Sequence, residues 1–351
     1  MDNANYFKGR GAQIKTRNKF LKNEYVTEHI EGLDEPIFEN PHTQIFEETA
    51  KKLVNKVESP DLRFLYSMNP YQGCEHGCIY CYARNTHEYY GFSAGLDFES
   101  KIIVKKNAAT LLEQQLLHPT WEAVPIMLSG NTDCYQPQEK KFGLTRSLLK
   151  VMARYRHPVG IITKNSLITR DMDILRDLAA ERLVNVMISI TTLNEELRRR
   201  LEPRTASALK RLKTVEELTL AGIPVGIMNA PIIPGLNHHE IPDILKAAAD
   251  HGALTAGMTV VRLNGSIGKI FEDWLRKNFP DRFDKVWNQI CSLHDGQVHD
   301  SEFGRRMRGS GSMADIIHQL FKVSKQKYFS NRQMPSYDLT RFRKGGTLSL
   351  F

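Results

Sequence analysis

The sequence has no long apolar run, no block of like charge and no low-complexity segment, and it holds only five cysteines and three tryptophans in 351 residues. Each scarcity removes a class of protein. The least polar stretch, 223–236, is broken by prolines and glycines, which excludes a helical membrane span of ~20 continuous apolar residues. Residues 1–5 carry no apolar signal region, so a cytoplasmic protein with no membrane partner is expected. The lack of a like-charge block excludes a disordered basic tail. The cysteines are odd in number and three of them fall between positions 74 and 81, which argues against a disulfide framework and for a metal or redox site in a reducing compartment.

What is present is an ordinary foldable composition, 41% hydrophobic and 25% charged, long enough for one large α/β domain with extensions or two modest ones. The formal net charge of +8 suits a polyanionic partner such as nucleic acid, although many small-molecule enzymes are as basic.

Three regions follow from patterning. Residues 1–60 are polar and irregular, an N-terminal extension in which 43–57 has the apolar spacing of a helix. Residues 61–265 alternate short apolar runs (125–129, 158–163, 184–190, 224–228, 256–261) with amphipathic stretches (143–156, 171–182, 206–222, 241–252). With a first strand just before Cys74, this gives six β/α units: an α/β fold built as a partial (β/α)6 TIM-type barrel, since a full eightfold barrel typically needs about 250 residues. A parallel barrel carries its site at the carboxyl ends of its strands, where the polar residues here fall. Residues 266–351 form a helical and basic C-terminal extension, with helices expected at 267–279, 281–293 and 314–323.

The segment Asn69-Pro-Tyr-Gln-Gly-Cys74-Glu-His-Gly-Cys78-Ile-Tyr-Cys81-Tyr-Ala-Arg84 carries the chemistry. Three thiolates spaced Cys-x3-Cys-x2-Cys suit an iron–sulfur cluster, copper or zinc. A [4Fe-4S] cube normally takes four cysteines, so three leave one iron open to a further ligand. A structural zinc site would complete itself with His76. A plain electron-transfer cluster would want a fourth cysteine, which neither Cys134 nor Cys291 is placed locally to give.

This segment and the six β/α units behind it resemble the radical SAM superfamily. The resemblance implies a [4Fe-4S] cluster on Cys74, Cys78 and Cys81, S-adenosyl-L-methionine (SAM) chelated at the open iron, and reductive cleavage to a 5′-deoxyadenosyl radical that abstracts hydrogen from substrate. It also implies an electron donor of the flavodoxin or ferredoxin type. Tyr80, the aromatic before the last cysteine, would pack against the SAM adenine. Ser129-Gly-Asn-Thr-Asp133 stands where the family has a Gly-Gly-Glu-like segment, which makes Gly130 and Asn131 candidates for the methionine amino group. Lys164 after the third strand would pair with the SAM carboxylate. Ser189 and Thr191 after the fourth would bond ribose or carboxylate, Arg204 would supply a second cation, and residues 229–235 would frame the adenine. Each of these is otherwise a cap or turn residue.

The phrases around the cysteines, Thr132-Asp-Cys-Tyr-Gln-Pro137, Leu201-Glu-Pro-Arg204 and Ala230-Pro-Ile-Ile-Pro234 resemble the spore photoproduct lyase-like branch, a DNA-repair lyase group, which implies a nucleic-acid substrate for lesion repair or base modification. Cys134 would then serve as a hydrogen-donating thiol, with Tyr135, and more distantly Tyr82, relaying the hydrogen. A peptide, cofactor precursor or metabolite substrate, and a non-catalytic metal-binding protein, are the competing readings. Arg305-Arg-Met-Arg308, set among glycines, has the composition of a phosphate grip. The tail Thr347-Leu-Ser-Leu-Phe351 resembles peptides that dock on the sliding clamp.

Overall fold

The computed structural model describes residues 6–21, 42–62 and 64–345; the clamp-like tail at 347–351 lies outside them. Ten strands occur in chain order: β1 (Gln44–Glu48), β2 (Val54–Lys56), β3 (Tyr66–Met68), β4 (Tyr71–Gln72), β5 (Lys101–Lys105), β6 (Ile126–Leu128), β7 (Val159–Thr163), β8 (Val184–Ser189), β9 (Val225–Ile232) and β10 (Ala256–Val260). A seven-stranded sheet runs β10-β9-β8-β7-β6-β3-β2. Its members β3 and β6 to β10 are mutually parallel, and β2 joins antiparallel at the edge. Those six parallel strands are the six expected units. The sheet is an open, partial barrel whose described ends, β2 and β10, are not paired to each other.

Each parallel strand is followed by a helix on its outer face, because a parallel crossover must return along the sheet and bury it. Val184, Val186 and Ile188 of β8 and Val225 and Ile227 of β9 alternate outward into a core with Leu175, Leu212, Val215 and Leu245 from the helices. Full burial of one such side chain contributes about 1.5–3 kcal/mol.

The inward positions differ in kind. Met127, Met187 and Met228 stand in direct cross-strand register with Gly160, Gly226 and Gly257 of the next strand. A Cβ on these glycines would come within 2.9 Å of Met127 Cε, 2.8 Å of Met187 Sδ and 3.0 Å of Met228 Cε. The glycines thus make room for flexible thioethers on the neighbouring strands.

The lower end is closed from the C-terminus. Asn185 donates to the Pro335 carbonyl at 3.1 Å, Asp338 pairs with Arg182, and Arg343 N donates to the Tyr155 carbonyl.

Several expectations are corrected. Residues 43–57 hold β1 and β2, not a helix, because Gln44–Glu48 finds a parallel partner in β5 and Val54–Lys56 an antiparallel one in β3. That β1-β5-β4 sheet was not expected at all. The last helix spans Gly311–Phe329 and is longer than 314–323. In the basic loop, Arg305 is paired with Asp295, Asp300 and Glu302, and Arg306 with Asp61, so these two arginines are neutralised internally. Among the described residues no helix is long and apolar enough to cross a membrane.

Candidate active site

The cysteine loop begins directly after β3 and β4 and sits over the barrel mouth. Its path is fixed by backbone bonds and by one buried cation. Cys74 N donates to the Phe98 carbonyl at 2.9 Å and Ile79 N to the Leu201 carbonyl at 3.0 Å. Arg84, fully buried, donates to the carbonyls of Gly77, Cys78, Ala94 and Gly95 and pairs with Glu99 at 2.5 Å. Glu99 also accepts from the backbone of Gly11 and Ala12, which ties the N-terminal extension beneath the loop. At Gly77 the backbone is left-handed (φ 67°), and a Cβ would lie 2.7 Å from a Glu99 oxygen. Glycine is required there both by conformation and by space.

The three thiols are close enough to feel one another. Burial pushes the Cys74 thiol well above its ordinary range, and Asp133, Cys78 and Cys81 push it further. Burial likewise raises Cys78 and Cys81. Such thiols bind as thiolates when a cation replaces their protons. His76 does not complete a zinc set: Nδ1 lies 3.3 Å from Asp133 and Nε2 3.3 Å from the Asn165 amide, so both ring nitrogens are engaged. Among the described residues no three His, Cys, Asp or Glu side chains converge as they would around a single ion. A cube takes each thiolate on a separate iron, so three thiols with no fourth beside them would leave one iron open. The donor set fits a cluster with one iron left open.

Behind the loop stands a residue the sequence reading passed over. Glu202 is fully buried and accepts from the Tyr80 hydroxyl, from Thr191 Oγ1 at 2.6 Å and from Arg211, with Lys164 Nζ 3.4 Å away. Burial alone would raise its pKa; the Arg211 charge first, then Lys164 and the Thr191 and Tyr80 hydrogen bonds, outweigh it and hold the carboxyl far below the ordinary glutamate range. Three candidates, Tyr80 in the cysteine loop and Lys164 and Thr191 just past the ends of β7 and β8, therefore converge on one carboxylate. Lys164 Nζ also lies 5.7 Å from the Tyr80 ring centroid. Ser189 ends β8 nearby, and its carbonyl accepts from Arg211.

A second carboxylate links the loop to the strand ends. Asp133 accepts from Thr163 Oγ1 and Lys164 N and faces His76. Burial would raise it, but His76 and these bonds lower it overall. Its neighbours Gly130 and Asn131 are also at the mouth: the Gly130 carbonyl accepts from Tyr82 at 2.6 Å, and the Asn131 amide meets Gln72 and Thr86.

Other candidates stand apart. Arg204 is held by the Gly9 carbonyl and Glu75. Cys134 is fully buried within the main core, its thiol pushed up by burial, and Tyr135 is buried with its hydroxyl on Asp171. Those surroundings are those of packed side chains. Glu202, Arg211, Arg84 and Glu99 were missed because no spacing rule announces their pairing: Arg84 meets Glu99 across 15 positions, Arg211 meets Glu202 across 9, and Glu202 meets Tyr80 across 122.

Comparison with known proteins agrees with this geometry. The family model of the radical SAM superfamily matches residues 68–248. An uncharacterized protein of Mycobacterium tuberculosis is 33% identical over 235 residues, 66% of this chain and 69% of the relative. One of Methanocaldococcus jannaschii is 28% identical over 252 residues, 72% and 90% of the two chains. Among solved structures, spore photoproduct lyase complexed with dinucleoside spore photoproduct superposes with a TM-score of 0.58 at 15% identity, over 83% of this chain and 81% of that one. A variant of that lyase with bound AdoMet and the same dinucleoside gives 0.59 at 16%, with the same coverage. At such identities the likeness is one of fold.

Proposed function

The chain belongs to the radical SAM superfamily and is an enzyme, and from that premise we propose that it cleaves SAM at a [4Fe-4S] cluster and directs the resulting radical at a nucleic acid. The observation that carries the reading is the three-thiol loop seated over the carboxyl-end mouth of a six-stranded parallel barrel, with Tyr80, Lys164 and Thr191 gathered beside it. When bound, the cluster supplies one electron that opens the S–C5′ bond of SAM, giving methionine and a 5′-deoxyadenosyl radical able to abstract hydrogen.

The chain's own residues supply position. Cys74, Cys78 and Cys81 would hold the cluster, each through one iron. Arg84 fixes the carbonyls that shape their loop. Glu202 fixes the Tyr80 ring that flanks the open position and anchors Lys164, whose ammonium is available to a carboxylate at the mouth. Ser189, Thr191, Gly130 and Asn131 border the same opening with hydroxyl, carbonyl and amide groups. The nucleic-acid reading is supported by the net charge of +8 and by the fold shared with a lyase complexed with dinucleoside spore photoproduct. An electron donor of the flavodoxin or ferredoxin type would complete the reaction.

Anaerobic reconstitution tests this. The parent chain should become brown, hold four irons and release 5′-deoxyadenosine from SAM and dithionite, while the variant with all three loop cysteines changed to Ala does neither. A colourless zinc protein would overturn the reading. Release stimulated by one nucleic acid supports the substrate class; no stimulation by any nucleic acid moves the substrate to a peptide, cofactor precursor or metabolite.

A further inference from the structure

A cleft of about 740 Å³ opens beside the barrel mouth, between the 3-10 turn Ser166–Asp171 and helix Ala208–Leu220. Asn165 lines it, and the same side chain meets His76 of the cysteine loop, so the cleft borders the site. Its wall is positively charged in an unusual way. Lys140, Lys210 and Lys213 are exposed along it, and none has an ion-pair partner among the described residues. Among the described residues Glu217 is the one carboxylate in that wall. Arg170, also lining it, is already neutralised by Glu139 at 2.6 Å and Asp171 at 2.8 Å. Two or three uncompensated positive charges facing one open groove are a standing attraction for an anion.

The arrangement suits a repeated anion better than a single phosphate. Lys210 and Lys213 are neighbours on one helix face, while Lys140 comes from a separate short helix, Glu139–Phe142. The heads therefore need not converge on one point. Ser166 and Ser207 add hydroxyls to the wall, and among the described residues no aromatic ring lies in it, so the cleft offers contacts to phosphate and sugar and no stacking platform for bases. Exposed, unpaired lysines also contrast with Arg305, whose charge is cancelled by Asp300 close in sequence, and with Arg306, which pairs with the distant Asp61.

We propose that this cleft grips the sugar–phosphate backbone of a nucleic-acid strand, without reading its sequence, and so presents one nucleotide to the barrel mouth. The inference rests on the nucleic-acid reading above and names the surface that serves it. A base must leave its stack to reach a buried site, and a backbone held beside the opening is what makes that excursion local.

The test is fluorescence anisotropy of a short, labelled single strand of mixed sequence with the cluster-reconstituted full chain, repeated across salt concentrations. The variant Lys140→Gln, Lys210→Gln, Lys213→Gln should bind more weakly. At ~0.7 per phosphate contact for single strands, it should lose about 2 from the slope of log affinity against log salt. A control with equal charge change, Lys269→Gln, Lys285→Gln, Lys322→Gln, should lose less than half of that slope, and strands of different sequence should bind alike. Equal iron content in all three proteins shows that folding is intact. Parent-like binding by the first variant, or an equal loss in the control, overturns the cleft while leaving a nucleic-acid substrate standing. Displacement of the strand by inorganic tripolyphosphate at matched phosphate concentration makes it a polyphosphate site and also overturns it. Absence of binding by the parent chain removes both, whereas failure of SAM cleavage alone would not alter the anisotropy.

Discussion

Replacing Glu202 with Gln should be among the most damaging single changes in the chain, although it removes one charge and almost no volume. Glu202 has no solvent exposure and Arg211 only 1%, so the guanidinium would be left buried with no counter-charge. Breaking a buried pair by removing one partner costs about 3–5 kcal/mol. With unfolding entropy of about 2.1 cal/mol/K per residue over 351 residues, that corresponds to a fall in Tm of roughly 4–7 °C. Changing both partners, Glu202→Gln with Arg211→Met, should recover part of the loss, since no bare charge then stays inside. The sign of the pH dependence follows from the depressed Glu202 pKa. A carboxyl with a folded pKa below its unfolded value of ~4.3 contributes fully above that value and loses its contribution as pH falls toward the folded one. The gap between parent and variant should therefore be constant above about pH 5 and narrow only in stronger acid. Calorimetric or spectroscopic melts across pH read both quantities. A Tm drop under about 1 °C, or a double variant worse than the single one, would refute the hub.

Two further outcomes are expected. Gly77→Ala forces a Cβ to 2.7 Å from Glu99 at a left-handed backbone position, so the loop must shift and iron bound after reconstitution should fall well below the parent value; full iron content would show that the loop tolerates the change. His157 is buried, hydrogen-bonded to Trp121, and held by burial at a pKa of about 4. Because the unfolded chain takes up a proton near pH ~6.5 that the folded one refuses, stability should decline as pH drops from there toward 4, by at most about 3 kcal/mol for this group. His157→Gln keeps an acceptor for Trp121 and should flatten that decline; an unchanged pH slope counts against the assignment.

The parts of the fold legible in the sequence are those set by short-range rules. A parallel strand covered on one face by a helix must be a short apolar run, and the five runs from 125 to 261 are strands β6 to β10 within a few residues. The cysteine loop was legible for a similar reason, because its ligands lie within one turn of chain. Residues 43–57 misled because the apolar spacing of Ile45 and Phe46 is compatible with helix until Lys101–Lys105 offers an edge, and nothing local announces that partner. The same applies to the carboxylates that organise the mouth. Glu202 meets Tyr80 across 122 positions, and Glu99 meets Gly11 across 88.

Charge shows the limit most clearly. Arg305-Arg-Met-Arg308 has the composition of an anion site, yet Asp295, Asp300, Glu302 and Asp61 cancel two of its arginines. Lys140, Lys210 and Lys213 are unremarkable in sequence, scattered over two helices, and come together in one groove with a single carboxylate among them. Net charge is a sum over residues and is blind to this difference. What attracts a ligand is the charge left over after folding has paired the rest, and folding decides that residue by residue. A chain of +8 could carry its excess anywhere; here three of the uncompensated lysines stand beside the opening to the radical site, which is where an anionic polymer would have to be held for one of its units to enter.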